Sequence, residues 1–282
     1  MADNPGISVL MTTYNRERYV EAAIQSVLAS TFSDFELVVV DDGSSDQTVA
    51  IVEQLSAEDH RVVLHINPQN LGDYPNRNRA ASLAKGKYLK YVDADDLIYP
   101  WGLQILWDCM EKHPHAGWGL CSLAQDKQRI FPFVLGPEEA YRYHYLGPGL
   151  FHKAPLSSII RKSVFDEVGG FKPLRMVGDS EMWHRLAQDF PVLLMPHGIV
   201  WYRFHDDQES NNIDEFALSY NAIVHQYLSS ASCPLNSREL HVIYSKRRGR
   251  LTRTFIIHLL KRNFKAARAV SAQLRALKPF SS

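Results

Sequence analysis

The amino-acid sequence predicts an α/β fold, a doubly wound and mainly parallel sheet flanked by helices, with a C-terminal helical extension. Three observations support this. Short β-rich runs alternate with amphipathic helical segments through the first hundred residues, a pattern that implies right-handed βαβ crossovers onto a parallel sheet. The 282-residue chain is 45% hydrophobic and 22% charged, which suits a globular protein with a sizeable core and excludes disordered or fibrous classes. Third, the net charge of zero conceals a division. From Leu235 to Ser282 twelve Lys or Arg accompany the single acid Glu239, which leaves nineteen basic and thirty acidic residues to positions 1–234. An acidic body thus gives way to a basic tail near Cys233-Pro234.

Taken in order, Ile7 to Thr13 reads as a buried strand, Glu17 to Ala29 as a helix and Phe35 to Val40 as a second strand. Gln47 to Leu55 reads as a helix behind the start signal Ser44-Ser45-Asp46, and Arg61 to Ile66 as a third strand. A helix over Pro75 to Ala84, a strand over Tyr88 to Val92 and a helix after Pro100 follow. From Gly117 to Trp201 proline and glycine obscure the periodicity, and helical patterns resume at Asp214. Ligands of such sheets lie beyond the carboxyl ends of the strands. Three strands end in Thr12-Thr13-Tyr14-Asn15, Asp41-Asp42-Gly43-Ser44 and Asp93-Ala94-Asp95-Asp96, so these clusters are expected to converge on one edge.

No stretch approaches the ~20 apolar residues of a membrane span, and the chain opens on polar residues, so a cytoplasmic protein is expected. Cys109, Cys121 and Cys233 are too far apart for a zinc or thiol-exchange pair. They read as small buried hydrophobes in a reducing compartment.

The three carboxylates Asp93, Asp95 and Asp96 repel one another unless something positive sits among them. Mg²⁺ or Mn²⁺ fits, because these ions take few protein ligands and share themselves with phosphate oxygens, as an Asp-X-Asp pair beside a diphosphate would allow. A solvated turn with Asp96 capping the next helix also fits. Asp41-Asp42-Gly43-Ser44 is ill suited to phosphate, which two aspartates repel. It suits a base imide N–H or ribose hydroxyls, although glycine at positive φ and a serine cap also make an ordinary turn.

Ile7-Ser8-Val9-Leu10-Met11-Thr12-Thr13-Tyr14-Asn15, Val40-Asp41-Asp42-Gly43-Ser44, Asn70-Leu71-Gly72 with Arg77-Asn78, and Asp93-Ala94-Asp95-Asp96 together resemble the family 2 glycosyltransferases of the GT-A fold. Their order and spacing match over residues 1–110, with weaker matches to Asn212. The resemblance implies a catalytic domain over 1–212, with a nucleotide-binding half (1–110) and an acceptor-binding half (111–212), ahead of a basic extension over 213–282. It implies a nucleotide-diphosphate sugar donor, UDP-sugar favoured, and a saccharide or lipid-linked acceptor. Thr12, Tyr14 and Asp42 would hold the donor's base, with Asp42 on a uracil or thymine imide and Asp41 its neighbour. Asp95 would ligate Mn²⁺ or Mg²⁺, Asp93 would face the ribose or the metal's waters, and Arg77 would lie close to the nucleotide.

In Gly178-Asp179-Ser180-Glu181-Met182-Trp183-His184-Arg185, Asp179 matches the family's catalytic base, but Gly178 replaces the glutamate that commonly precedes it. That departure leaves Glu181 as an alternative base. Trp201-Tyr202-Arg203-Phe204-His205 resembles a segment that closes over the donor, so Arg203 would meet the phosphates and His205 would complete the metal shell; Asp206 and Asp207 read as solvated. The chemistry needs a carboxylate to take the proton of a poorly nucleophilic hydroxyl and a metal to neutralise the departing diphosphate. An in-line displacement of this kind inverts the anomeric centre.

From Leu251 to Leu277, Phe255 and Leu259, Ile256 and Leu260, then Ala267, Val270, Leu274 and Leu277 recur at helical spacing among Arg and Lys. Such a basic amphipathic helix is expected to dock on the acidic body, on a second copy as a homodimer, or peripherally on the inner face of a membrane. No nucleic-acid motif accompanies the charge, so no nucleic acid is expected. Two other readings remain. A non-catalytic nucleotide-sugar-binding protein would keep Asp42 and Asp95 but dispense with Asp179. A sugar nucleotidyltransferase would need a Gly-rich basic loop where Thr12-Thr13-Tyr14-Asn15-Arg16 stands. A dinucleotide dehydrogenase fares worse, since no Gly-X-Gly-X-X-Gly follows the first strand.

Overall fold

The computed structural model describes residues 4–205 and 216–277. Strands β1 (Ile7–Thr13), β2 (Phe35–Asp41), β3 (Val62–Ile66) and β4 (Tyr88–Tyr91) pair in parallel in the order β3-β2-β1-β4. Helices α1 (Val20–Leu28), α2 (Thr48–Glu58) and α3 (Asp73–Leu83) connect them. β1 and β2 are almost wholly buried, as expected of central parallel strands covered on both faces. Every element expected over this stretch is present, β1 over the expected residues and the others with ends shifted by one to three residues. α1 starts at Val20 rather than Glu17, because Glu17 is occupied in tying loops together: its amide donates to Asp46 (3.1 Å) and its carboxylate accepts from the Gln47 amide (2.9 Å).

The second half contains β5 (Leu97–Ile98), α4 (Gly102–Lys112), β6 (Trp118–Leu123), β7 (Phe133–Leu135), α5 (Pro137–Leu146), β8 (Ser158–Arg161), α6 (Lys162–Glu167), α7 (Gly178–Asp189), β9 (Val192–Pro196) and β10 (Val200–Trp201). The sheet continues β4-β8-β6-β9-β7, and only β8 and β7 run against the other strands. β10 pairs with β5 in a separate antiparallel ribbon, which carries residues 202–205 back to the Asp93–Asp96 loop. Alternation along each strand divides the core between the sheet's two faces. Val9 and Met11 of β1 pack with α1 and α4, whereas Leu10 packs with α3 and with Trp183 of α7.

α8 (Ala217–Leu228), α9 (Ser237–Leu260) and α10 (Phe264–Ala276) form the extension. One expectation for it is corrected and another, docking on the body, is made specific. The basic run from Leu251 to Leu277 is not one helix but the arms of a hairpin, broken where Arg262 takes φ 53° and Asn263 caps α10 by accepting from the Ala266 amide at 3.1 Å. Docking on the body is not by tail cations on body acids. Leu240 and Ile243 of α9 enter the main core, and the ion pair runs the other way, from the tail's only acid, Glu239, to Arg142. Among the described residues no lysine or arginine of α9 or α10 pairs with a carboxylate. Long cationic side chains keep their hydration by pointing outward while the apolar stripe is buried. The expected boundary at 212/213, the helical start at Asp214, and Asp206 and Asp207 lie outside the described residues. Cys121 is buried, Cys109 and Cys233 are half-buried, and all three are free thiols.

Candidate active site

The three strand-end clusters converge on one cavity of about 620 Å³, lined among others by Thr12, Tyr14, Asp42, Arg77, Asp93 and Asp95. Asp41 does not line it. Its carboxylate is fully buried and accepts from Thr13 Oγ1 (2.8 Å), the Gly43 amide (3.0 Å), the Ser44 amide (2.8 Å) and Ser44 Oγ (2.5 Å). It therefore shapes the loop and presents Asp42. Asp42 accepts from Asn67 Nδ2 (2.8 Å) and the Leu71 amide (2.8 Å) on Oδ1, and from the Gly72 amide (2.9 Å) on Oδ2. Gly72 stands at φ 85° before α3, a conformation open to glycine at little cost, and so the helix entrance turns its amides toward the carboxylate. Oδ2, with a single partner given, retains the capacity to accept from a ligand.

The Asp93–Asp96 turn resolves its mutual repulsion by giving each carboxylate a different environment. Asp93 pairs with Arg77 Nη1 at 2.6 Å, and Arg77 also holds Asp73 through Nε at 2.7 Å. Burial alone would lower the Arg77 pKa, but Asp73 and Asp93 outweigh it and hold the guanidinium charged. Arg77 is therefore an organiser of two acids at the cavity wall. Asp95 lies 3.3 Å from Arg16 Nε and 3.1 Å from His205 Nε2. Asp96 is buried and accepts from the Arg203 amide at 2.8 Å, while burial, then Asp93 and Asp95, raise its pKa well above the ordinary value. Arg203 Nε donates to the Asp95 carbonyl at 2.7 Å, and its guanidinium lies over the rings of Tyr19 and Trp201. His205 rests against Tyr19, ring centroids 4.8 Å apart.

Asp95 and His205 thus offer one carboxylate oxygen and one imidazole nitrogen to a shared point, and among the described residues no group of three or more His, Cys, Asp or Glu is assembled. A two-ligand set of this kind fits Mg²⁺ or Mn²⁺ sharing itself with water and phosphate oxygens, and does not fit a closed structural cage.

At the start of α7, Asp179 and Glu181 diverge. Asp179 sits beside the cavity: its amide donates to the hydroxyl of Tyr74, a lining residue, at 3.0 Å. Burial dominates its titration and pushes its carboxyl up to about 6, against the Ser180 amide and the Arg77 charge, which favour ionisation. Glu181 is fully buried on the opposite side and is bound by Lys172 (2.6 Å), Arg185 (2.8 Å) and the Tyr227 hydroxyl (2.6 Å). Burial would raise its pKa, but these donors outweigh it and hold it down. Glu181 is a packing anchor for α7, its carboxylate turned to Lys172, Arg185 and Tyr227. Gly178 has a physical reason as well. A Cβ there would lie 2.7 Å from the Tyr74 ring, so Tyr74 occupies the space a longer residue would need.

Sequence reasoning missed Arg16, Asp73, Tyr74, Arg175 and Tyr202, all of which line the cavity. Arg16 carried a signal in its position directly after the β1 motif. Tyr74 carried one in Gly178, whose missing side chain implied an unseen neighbour. Tyr202 carried one in its place within the Trp201–His205 segment, and Arg175 carried none.

A model of glycosyl transferase family 2 matches residues 8–169, a span that contains each strand-end cluster and stops short of Asp179. An uncharacterized glycosyltransferase of Methanocaldococcus jannaschii is 34% identical over 221 residues, 77% of this chain and 71% of its own length. An uncharacterized glycosyltransferase of Haemophilus influenzae is 33% identical over 115 residues, 41% of this chain and only 36% of its own length. A GalNAc(5)-diNAcBac-PP-undecaprenol beta-1,3-glucosyltransferase of Campylobacter jejuni is 36% identical over 104 residues, 36% of this chain and 33% of its own. Among solved structures, TarS 1-349 of S. aureus in complex with UDP-GlcNAc superposes with a TM-score of 0.65 at 21% identity, covering 84% of this chain and 70% of that one. The mannosyltransferase PcManGT of Pyrobaculum calidifontis, in complex with GDP-Man and Mn²⁺, superposes with a TM-score of 0.61 at 16% identity, covering 98% and 86%. At these identities the structural likenesses establish the fold, that of the GT-A glycosyltransferases.

Proposed function

The chain belongs to glycosyltransferase family 2, and from that premise we propose that it is a metal-dependent, inverting transferase that moves a sugar from a nucleotide-diphosphate donor, UDP-sugar by preference, onto an acceptor hydroxyl in glycan or polysaccharide synthesis. The observation that carries the reading is the separation of roles among carboxylates around one cavity: Asp95, which lines it at the strand ends in contact with His205, and Asp179, raised to about 6, held behind the lining residue Tyr74. A base that titrates near the working pH combines a deprotonated ground state with useful proton affinity.

Asp179 takes the acceptor hydroxyl's proton as that oxygen attacks the anomeric carbon, and the bond to the donor's diphosphate breaks on the opposite side. Tyr74 orients Asp179 through its amide. The base of the donor rests on Tyr14, half exposed at the rim, with Thr12 at the end of β1 and Oδ2 of Asp42 accepting from the imide. Arg77 holds Asp93 toward the ribose, and Arg203, anchored on the Asp95 loop, meets the phosphates. Asp95 and His205 would hold Mn²⁺ or Mg²⁺, which would supply neutralisation of the charge on the leaving diphosphate. The named substrate of the Campylobacter relative supports a lipid-linked acceptor. Among the described residues no helix is long and apolar enough to cross a membrane, and the reading includes a cytoplasmic enzyme with catalytic residues 1–212 and a basic extension over 213–282.

Thermal shift with UDP, dTDP and GDP, each with and without Mn²⁺, tests the site, since a ligand bound only by the native state raises the melting temperature. A rise with UDP that requires Mn²⁺ is expected, and no rise with any nucleotide overturns the reading. UDP-sugar turnover then separates an enzyme from a non-catalytic binder.

A further inference from the structure

We propose that the tip of the C-terminal hairpin is a docking surface for an anionic lipid bilayer, with Ile256, Ile257, Leu260 and Phe264 entering the headgroup region and the surrounding cations meeting lipid phosphates. The proposal does not rest on the transfer chemistry of the cleft, and its failure would leave that reading untouched.

Five large hydrophobic residues are exposed within 256–264: Ile256 by 49%, Ile257 by 42%, Leu259 by 41%, Leu260 by 80% and Phe264 by 63%. Such a concentration of exposed apolar surface at one protrusion calls for a partner. The place is distinctive. Leu240 and Ile243 anchor the first turns of α9 in the core, and Arg247 is the last residue of α9 bonded to α8, through Asn221. From Arg247 to Leu260 the helix rises a further ~20 Å, so the hairpin turn stands well beyond that anchor. α10 returns along α9, with Ala267 and Val270 buried and Gln273 bonded to Asn221 at 2.7 Å.

Charge decides the occupant. After Glu239 the chain contains eleven Lys or Arg and no acid, and among the described residues none of these cations pairs with a carboxylate. Lys261, Arg262 and Lys265 flank the apolar tip directly, and Lys246, Arg250 and Arg253 follow along exposed α9. Apolar side chains at the end of a projection, with cations set back along its shaft, match the depth profile of an anionic bilayer surface, where acyl chains lie below the phosphates. Nucleic acid would use the cations and leave the apolar tip wet. A second copy would need an apolar recess to receive a convex tip.

Co-sedimentation of the full chain with vesicles of phosphatidylcholine, with and without phosphatidylglycerol, tests this. Binding is expected only when phosphatidylglycerol is present, falling about tenfold or more as salt rises toward ~0.5 M, where the Debye length is only a few ångströms. The pair Leu260→Asp and Phe264→Asp should lower partitioning about tenfold or more with an unchanged melting temperature, because both sites are largely exposed. The triple Lys261→Ala, Arg262→Ala, Lys265→Ala should lower it by at least the same factor. No binding to either vesicle, equal binding to both, or binding unaffected by the Asp pair overturns the proposal. So does a dimer by light scattering that the Asp pair dissolves, or binding to duplex DNA in the absence of vesicle binding.

Discussion

The two sides of helix α7 treat neighbouring carboxylates in opposite ways. Behind the cavity wall Asp179 has lost water without gaining, among the described residues, a cation at bonding distance, and its proton affinity rises. On the core side Glu181 has also lost water but gained Lys172, Arg185 and Tyr227, and its proton affinity falls. Burial alone therefore does not say what a carboxylate is for; the donors aimed at it do. The same distinction separates Asp41, whose oxygens are filled by its own loop, from Asp95, whose Oδ2 meets side chains brought from elsewhere in the chain, Arg16 at 3.3 Å and His205 at 3.1 Å.

The largest consequence concerns Asp179. Asp179→Asn should reduce sugar transfer by about 10²–10⁴-fold while leaving Mn²⁺-dependent UDP binding intact by calorimetry; retained transfer would return the base to another group. Asp95→Asn should lower turnover about 10²-fold or more and weaken nucleotide binding only when metal is present, since metal stabilisation of a leaving group is worth several kcal/mol. On the core side the expected effect is on stability. Glu181→Gln leaves Lys172 and Arg185 without their anion and should cost about 2–3 kcal/mol in urea unfolding, below the ~3–5 kcal/mol of a fully buried pair because Lys172 is half exposed. Gly178→Glu would drive a side chain into the Tyr74 ring and should cost about 1–3 kcal/mol, with turnover falling as Tyr74 is displaced from Asp179.

The smallest effect is in pH dependence, and it differs in sign between the two sides. With its folded pKa raised to about 6 from the ordinary 3.8, Asp179 binds its proton more readily in the native state. It destabilises the fold above pH 6, and this penalty is relieved as pH falls from 6 toward 4. Asp179→Asn should therefore be more stable than the parent protein by about 1–2 kcal/mol at pH 7.5, with the difference vanishing near pH 4. Glu181, held below its ordinary value of 4.5, contributes stability above pH 4.5 that is lost as pH falls through its folded pKa, so Glu181→Gln should flatten the acid limb of the stability curve. kcat/KM should fall about tenfold per pH unit below 6 in the parent protein.

Much of this organisation was legible in the chain. The alternation of apolar strands and amphipathic helices, the carboxylates at three strand ends and the division of charge at residue 234 are local patterns, and local patterns determine which elements form and which end of the sheet is polar. Contacts between distant residues were not legible. The hairpin in the tail turns on Arg262 at positive φ, which helical spacing on either side concealed. The tail's attachment depends on which face of α9 meets the core, which net charge does not reveal; Leu240 and Ile243 are the residues buried there. The different surroundings of Asp179 and Glu181 depend on Tyr74 and Tyr227, which the sequence separates from them by tens of residues, and on which side of α7 Lys172 approaches.

By itself, then, the sequence determined the α/β fold and the identity of the polar groups at the sheet's edge, because the period of hydrophobic residues and the residue types at strand ends are one-dimensional properties. Only the tertiary structure decided which carboxylates are filled by internal donors and which face the cavity, and which apolar residues of the tail stay exposed. Hydrogen-bond partners and burial are set by residues brought together from distant parts of the chain.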